Sequence, residues 1–152
     1  MSDDVTITYA PPMRRFSLRA RDPALLSTVV GLPLPSRIGA TEGAIACLGP
    51  DEFYVRLPRD GDLSRGAEQP VSVVDVSDRA LGIIVEGEAA LAVLSSGCPL
   101  DLAHWPVGRA SRTIFETVEI ILYRESETRW HIDVWRSFAP WLWAALAKTT
   151  SD

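Results

Sequence analysis

The sequence predicts an α+β fold made of two strand–helix–strand–strand units in one chain. Three observations point there. Short alternating segments separated by turn residues recur along the chain, as half-buried strands require. Two helical stretches end in the same kind of stop, Gly31-Leu32-Pro33-Leu34 and Gly97-Cys98-Pro99-Leu100. Each of these helices has a strand before it and a strand pair after it. The second strand of each pair carries an aromatic start, Phe53-Tyr54-Val55 and Trp130-His131-Ile132.

The elements follow in order. Residues 1–12 are polar and end in Pro11-Pro12, which predicts a flexible tail. Residues 13–152 then make a single domain, with repeated halves at about 13–70 and 71–148. Residues 14–20 alternate polar and apolar as a strand. Asp22-Pro23 opens a helix, Asp as the cap for orphan N–H groups and Pro in the first turn. Leu25, Leu26 and Val29 share a face of it, and Gly31 and Pro33 end it. Strands are predicted at 43–48 and 52–57 around the turn Gly49-Pro50-Asp51, and residues 58–69 read as a polar loop. Val71–Val76 and Leu81–Val85 are further strands, and a second helix runs over about 87–95. Strands at 112–117, 119–124 and 129–135 come next, before a last helix from Ser137 to about Ala147. Two units of this kind packed together make a pair of ferredoxin-like sandwiches.

Composition excludes several classes of function. With 47% hydrophobic residues and a net charge of −5, the chain is neither disordered nor built to grip nucleic acid. It has no apolar run long enough for a membrane helix, and its acidic start does not resemble a secretory signal, so a cytoplasmic protein is expected. Cys47 and Cys98 lie far apart and outside any Cys/His cluster, which predicts buried, reduced thiols.

No residue pattern assembles a catalyst, and no cofactor-binding or metal site is predicted in this chain. A hydrolytic triad needs a nucleophile, a base and an orienting acid in contact. His131 alternates with Ile132 and reads as a strand-surface or subunit-contact residue; His104 lies in a loop before Trp105-Pro106. Two distant histidines give no metal spacing. No phosphate-binding glycine loop is present. Asp75 and Asp78 could share acid–base work, but a turn or cap cluster explains them as well. Arg14, Arg15, Arg19 and Arg21 accompany one aromatic, Phe16, too few rings for an RNA platform. They read as a solvated or partner-facing strand.

The C-terminal helix is the most informative stretch. Ser137 suits the N-cap, Pro140 the first turn, and Lys148 the end of the helix dipole. Between 138 and 147 there is no polar stripe, so the helix is either enclosed in its own fold or buried against a partner. Trp135, Arg136, Phe138, Trp141 and Trp143 are the candidate contact residues, since tryptophan and arginine anchor interfaces. Left without a partner, such a helix can also seek cover in a homodimer.

A family resemblance rests on segments in a fixed order. They are Leu48-Gly49-Pro50-Asp51-Glu52-Phe53, Val74-Asp75-Val76-Ser77-Asp78-Arg79, Val85-Glu86-Gly87 through Leu94, and Gly97-Cys98-Pro99-Leu100-Asp101-Leu102. Trp105-Pro106-Val107-Gly108, Ser111-Arg112-Thr113 and Trp135-Arg136-Ser137-Phe138-Ala139-Pro140 complete the set. Together they resemble the gamma subunit of heterotetrameric sarcosine oxidase, within the folate-binding aminomethyltransferase-like group. The resemblance implies an aminomethyltransferase-like fold and alpha, beta and delta partner subunits. It also implies that FAD, FMN, NAD and tetrahydrofolate are held mainly by those partners. The enzyme it implies oxidises the N-methyl group of sarcosine, forms hydrogen peroxide and passes a one-carbon unit to folate. This chain would then be an accessory, non-catalytic subunit, with Asp75 and Arg112 holding strand ends. Two other readings stand beside it: a stand-alone folate-binding one-carbon transfer protein, and a scaffold in another N-methyl amine catabolic complex.

Overall fold

A computed structural model describes residues 4–64 and 69–150. The strands of the first part are β1 (Thr6–Tyr9), β2 (Met13–Arg19), β3 (Thr41–Glu42), β4 (Ile45–Gly49), β5 (Glu52–Pro58) and β6 (Ser72–Asp75), with helix α1 (Pro23–Val30) after β2. There follow β7 (Ala80–Glu86), α2 (Ala90–Ser95), β8 (Ala110–Phe115), β9 (Val118–Arg124), β10 (Arg129–Trp135) and α3 (Ala139–Thr150). The chain forms two compact units, one of Pro12–Ser77 and the other of Met1–Pro11 with Asp78–Asp152.

The Pro12–Ser77 unit is an antiparallel sheet in the order β3-β4-β5-β2-β6, with α1 packed on it. Its strands alternate, so Phe16 and Leu18, Ile45 and Cys47, and Phe53 and Val55 all turn to one side. That side meets Leu26 and Val30 of α1. Removing each such side chain from water stabilises the unit by roughly 1.5–3 kcal/mol. The helix begins where expected: Ala24 N–H donates to Asp22 Oδ1 at 3.0 Å. It ends at Gly31, whose φ of 74° is the left-handed cap that favours glycine.

The second unit is also an antiparallel sheet, ordered β1-β7-β10-β9-β8. Ile83 and Val85, Ile120 and Leu122, and Trp130, Ile132 and Val134 face its core. Helix α2 contributes Ala90, Val93 and Leu94; helix α3 contributes Ala139, Leu142 and Leu146, spaced as one helical face.

Both units pair the strand before their helix, β2 or β7, with a strand that carries the aromatics, β5 or β10. The outer neighbour of that first strand differs in origin. In one unit it is β6, which follows β5 directly. In the other it is β1, from the opposite end of the chain.

Several boundaries depart from expectation. Residues 6–9 are not tail but strand β1, paired Thr6 with Glu86 through Tyr9 with Ile83. Their mostly exposed side chains belong to an edge strand, which reads as polar tail in sequence. The seam between the units lies after Ser77 rather than near 70, because β6 hydrogen-bonds to β2, Phe16 opposite Asp75. Strand β3 was not anticipated; two residues are too few to show alternation. Helix α2 starts at Ala90, after a turn over 87–89. The β8–β9 hairpin turns at Glu116-Thr117, with Glu116 at φ 56°, one residue earlier than the alternation suggests. Ser137 does not cap α3; it lies within a 3-10 turn over Arg136–Phe138. Part of the polar loop, residues 65–68, lies outside the described residues.

Candidate functional site

The five candidate contact residues sit where β10 gives way to α3. Trp135 ends the strand, Arg136 and Phe138 lie in the 3-10 turn, and Trp141 and Trp143 lie in the first turns of the helix. Trp135, Phe138 and Trp141 are 40%, 48% and 45% exposed. Single exposed apolar residues are ordinary on a protein surface, but three large exposed aromatics within seven positions are unusual. Trp143 points elsewhere: its ring stacks on Tyr9 with centroids 4.4 Å apart and planes 11° from parallel. The helix is enclosed by its own unit on one side only. Leu142 and Leu146 enter the unit's own core, while Trp141, Ala144 and Lys148 remain exposed.

Arg136 Nε donates to the carbonyl of Asp78 at 3.0 Å, which ties this turn to the entry of β7. Beside it is an open hollow of about 490 Å³ lined by Arg79, Trp135, Arg136 and Ser137.

His131 is the largest departure from expectation. It is not on a strand surface: it is only 2% exposed, as is Asp133. The two share one face of β10 at i, i+2, and His131 Nε2 lies 2.6 Å from Asp133 Oδ1. The carboxylate accepts the Nε2–H and so fixes the tautomer and plane of the ring. Tyr123 meets the imidazole edge-on, centroids 5.6 Å apart. Gly82 on the neighbouring strand leaves room for it; a Cβ there would come 2.6 Å from His131 Cε1. The spacing was legible in Trp130-His131-Ile132-Asp133, but nothing in it said that the face would be covered.

The remaining candidates resolve into local bonding. His104 Nδ1 lies 2.6 Å from Asp101 Oδ2 in an exposed 3-10 turn. Asp75 Oδ1 accepts from both the backbone N–H and the hydroxyl of Ser77, at 2.9 and 2.5 Å, and Asp75 Oδ2 accepts from Arg14 Nη2 at 2.7 Å. The Ser77 bonds, then Arg14, push the Asp75 carboxyl down to about 2. Such a group is an anchor at neutral pH rather than an acid. Arg14 also reaches Gly61 O at 2.9 Å and Arg15 is 3% exposed, so these two are not solvated, whereas Arg19 and Arg21 are exposed as the solvated or partner-facing reading has them. Arg112 lies mid-strand in β8, 3.9 Å from Glu119 across the hairpin. Cys47 and Cys98 are free and buried. Burial pushes the Cys47 thiol up, and a backbone hydrogen bond with Gly49 lowers it by less. Among the described residues, no group of three or more His, Cys, Asp or Glu side chains converges as metal ligands.

Two sheets with these helices define the class. The same fold occurs in the aminomethyltransferase T of the glycine cleavage system from Bartonella henselae, with a TM-score of 0.69 at 12% identity over 94% of this chain and 45% of that one. The chain thus has an aminomethyltransferase-like α+β fold. Residues 19–152 match the sarcosine oxidase, gamma subunit family, and the chain belongs to it. It is 30% identical over 145 residues to the sarcosine oxidase subunit gamma of Corynebacterium sp. strain P-1, covering 85% of this chain and 71% of that protein. It is 33% identical over 121 residues to its counterpart from strain U-96, covering 72% of this chain and 59% of that protein. A chain of the heterotetrameric sarcosine oxidase from Corynebacterium sp. U-96, solved with pyrrole 2-carboxylate, superposes with a TM-score of 0.85 at 30% identity, over 96% of this chain and 85% of that one. Among the described residues, no helix is long and apolar enough to cross a membrane.

Proposed function

We propose that this chain is the gamma-like subunit of a heterotetrameric sarcosine oxidase, working in the cytoplasm beside alpha, beta and delta subunits. It stabilises the large subunit by packing on its aminomethyltransferase-like region and performs no chemistry itself. The observation that carries this reading is the exposed run Trp135, Arg136, Phe138 and Trp141 on a member of the gamma subunit family. Aromatic rings and arginine in a solvent-facing patch are the residues that anchor protein interfaces.

The cofactors FAD, FMN, NAD and tetrahydrofolate belong, in this reading, to the partner subunits. A folate would ask this chain for a carboxylate ready to take the pterin N–H donors within an enclosed cavity. Among the described residues the buried carboxylate is Asp133, whose Oδ1 is engaged by His131, and the hollow beside Trp135 is open. These residues do not fit the group.

The test is co-expression with the genes for the alpha, beta and delta subunits, capture by a tag on this chain, and assay of the eluate for sarcosine-dependent peroxide. A flavin-coloured active complex is expected, weakened when Phe138 and Trp141 become Ala. A chain that elutes alone and binds tetrahydrofolate would support the one-carbon transfer reading instead.

A further inference from the structure

Two guanidinium groups stand beside Trp135 with no carboxylate answering them among the described residues. Arg136 spends its Nε on the carbonyl of Asp78, leaving both terminal amino groups without a partner among the described residues. The guanidinium of Arg79 and the hydroxyl of Ser137 have none there either. All three line the same open hollow as the half-exposed Trp135 ring. The chain carries 20 acidic and 15 basic residues, so an unanswered pair of cations runs against its overall charge.

We propose that this hollow seats an acidic side chain of the partner subunit, an Asp or Glu held by Arg79 and Arg136, with an adjoining apolar residue of the partner lying on Trp135. The inference rests on the gamma-subunit reading and names what that interface recognises. A planar guanidinium takes a carboxylate through two parallel N–H bonds, and here two are available. The Nε bond to Asp78 O holds one of them in place before binding, which lowers the ordering cost. The exposed ring selects a protein segment over a free anion, because a small anion leaves it wet. Phe138 and Trp141, further along the chain, are also exposed.

The experiment uses the co-expressed complex. If the wild-type chain does not co-purify with the other subunits, the subunit reading and this inference fall together. In the assembled complex, the double variant Arg79→Gln/Arg136→Gln is expected to weaken retention about tenfold or more, with a shallower dependence on salt. Wild-type retention by that variant overturns the inference and leaves the subunit reading standing. A melting temperature equal to wild type for the isolated variant separates lost contact from lost fold. As a second measurement, Arg79→Lys and Arg136→Lys place an amine in the hollow, and carbodiimide treatment of the complex is expected to join it to a partner Asp or Glu. A link only to a second copy of this chain, or no link, overturns the inference.

Discussion

Tyr9 stacks on Trp143 at 4.4 Å, so the strand nearest the N-terminus and the last helix hold each other across more than 130 positions of sequence. The contact gives β1 a reason to stay on the sheet edge and gives α3 a fixed rotation. With Trp143 turned to Tyr9, Trp141 is left facing outward.

Replacing Tyr9 by Ala is expected to lower stability by about 1–2 kcal/mol, since an aromatic pair contributes about 0.5–1.5 kcal/mol beyond its buried area. A double-mutant cycle with Trp143→Ala, read by chemical denaturation, should show a coupling of about 0.5–1.5 kcal/mol. Strict additivity would mean that the rings merely coincide.

The His131–Asp133 pair is buried and bonded at 2.6 Å, so removing one member leaves a polar group without its partner. Asp133→Ala is expected to cost about 2–4 kcal/mol, and Asp133→Asn, which retains an acceptor, about half of that. Urea unfolding of the two variants checks the order.

Gly82→Ala places a methyl 2.6 Å from His131 Cε1 and 2.8 Å from Ala10 Cβ, closer than real Cβ atoms come. Overpacking of this kind costs roughly 1–3 kcal/mol. The additional Ala should do less harm when His131 is already Ala, because the ring it strikes is gone; thermal melts of the single and double variants decide this.

Asp75 links stability to acid. Its folded-state carboxyl lies near 2, below the ordinary value of 3.8. The ionised form is therefore favoured by folding, and its contribution is present above about pH 4 and lost as the pH falls toward 2. The side chain is 38% exposed, so solvent screening reduces the effect to about 1 kcal/mol. Between pH 5 and pH 2 the wild type should lose about that much more stability than Asp75→Asn.

Both thiols should resist modification in the folded chain and react on unfolding. Cys47 and Cys98 are buried, and burial raises the Cys47 thiol further above neutrality, which lowers its thiolate fraction. A disulfide reagent is expected to find no fast-reacting thiol in buffer and two in denaturant, matching the two cysteines of the sequence.

Much of the architecture could be read from residue order alone. Alternation placed β2, β4, β5, β7 and β10, and Asp22 and Gly31 bracketed α1. These signals are local: a cap, a turn and a period of two are each complete within a few residues. The aromatic residues around the start of α3 stood out for the same reason, beside a helix with no polar stripe between 138 and 147. Tertiary structure alone decided the rest. Thr6–Tyr9 became a strand because Ile83–Glu86 offered an open edge, which no pattern at the N-terminus can announce. Trp143 turned inward and Trp141 outward because Tyr9 reached one and not the other. His131 and Asp133 were legible as sharing a face of β10, but a period of two says which residues lie together and never whether that face is covered. Coverage depends on residues distant in sequence, and it made a buried hydrogen-bonded pair of what composition presented as surface.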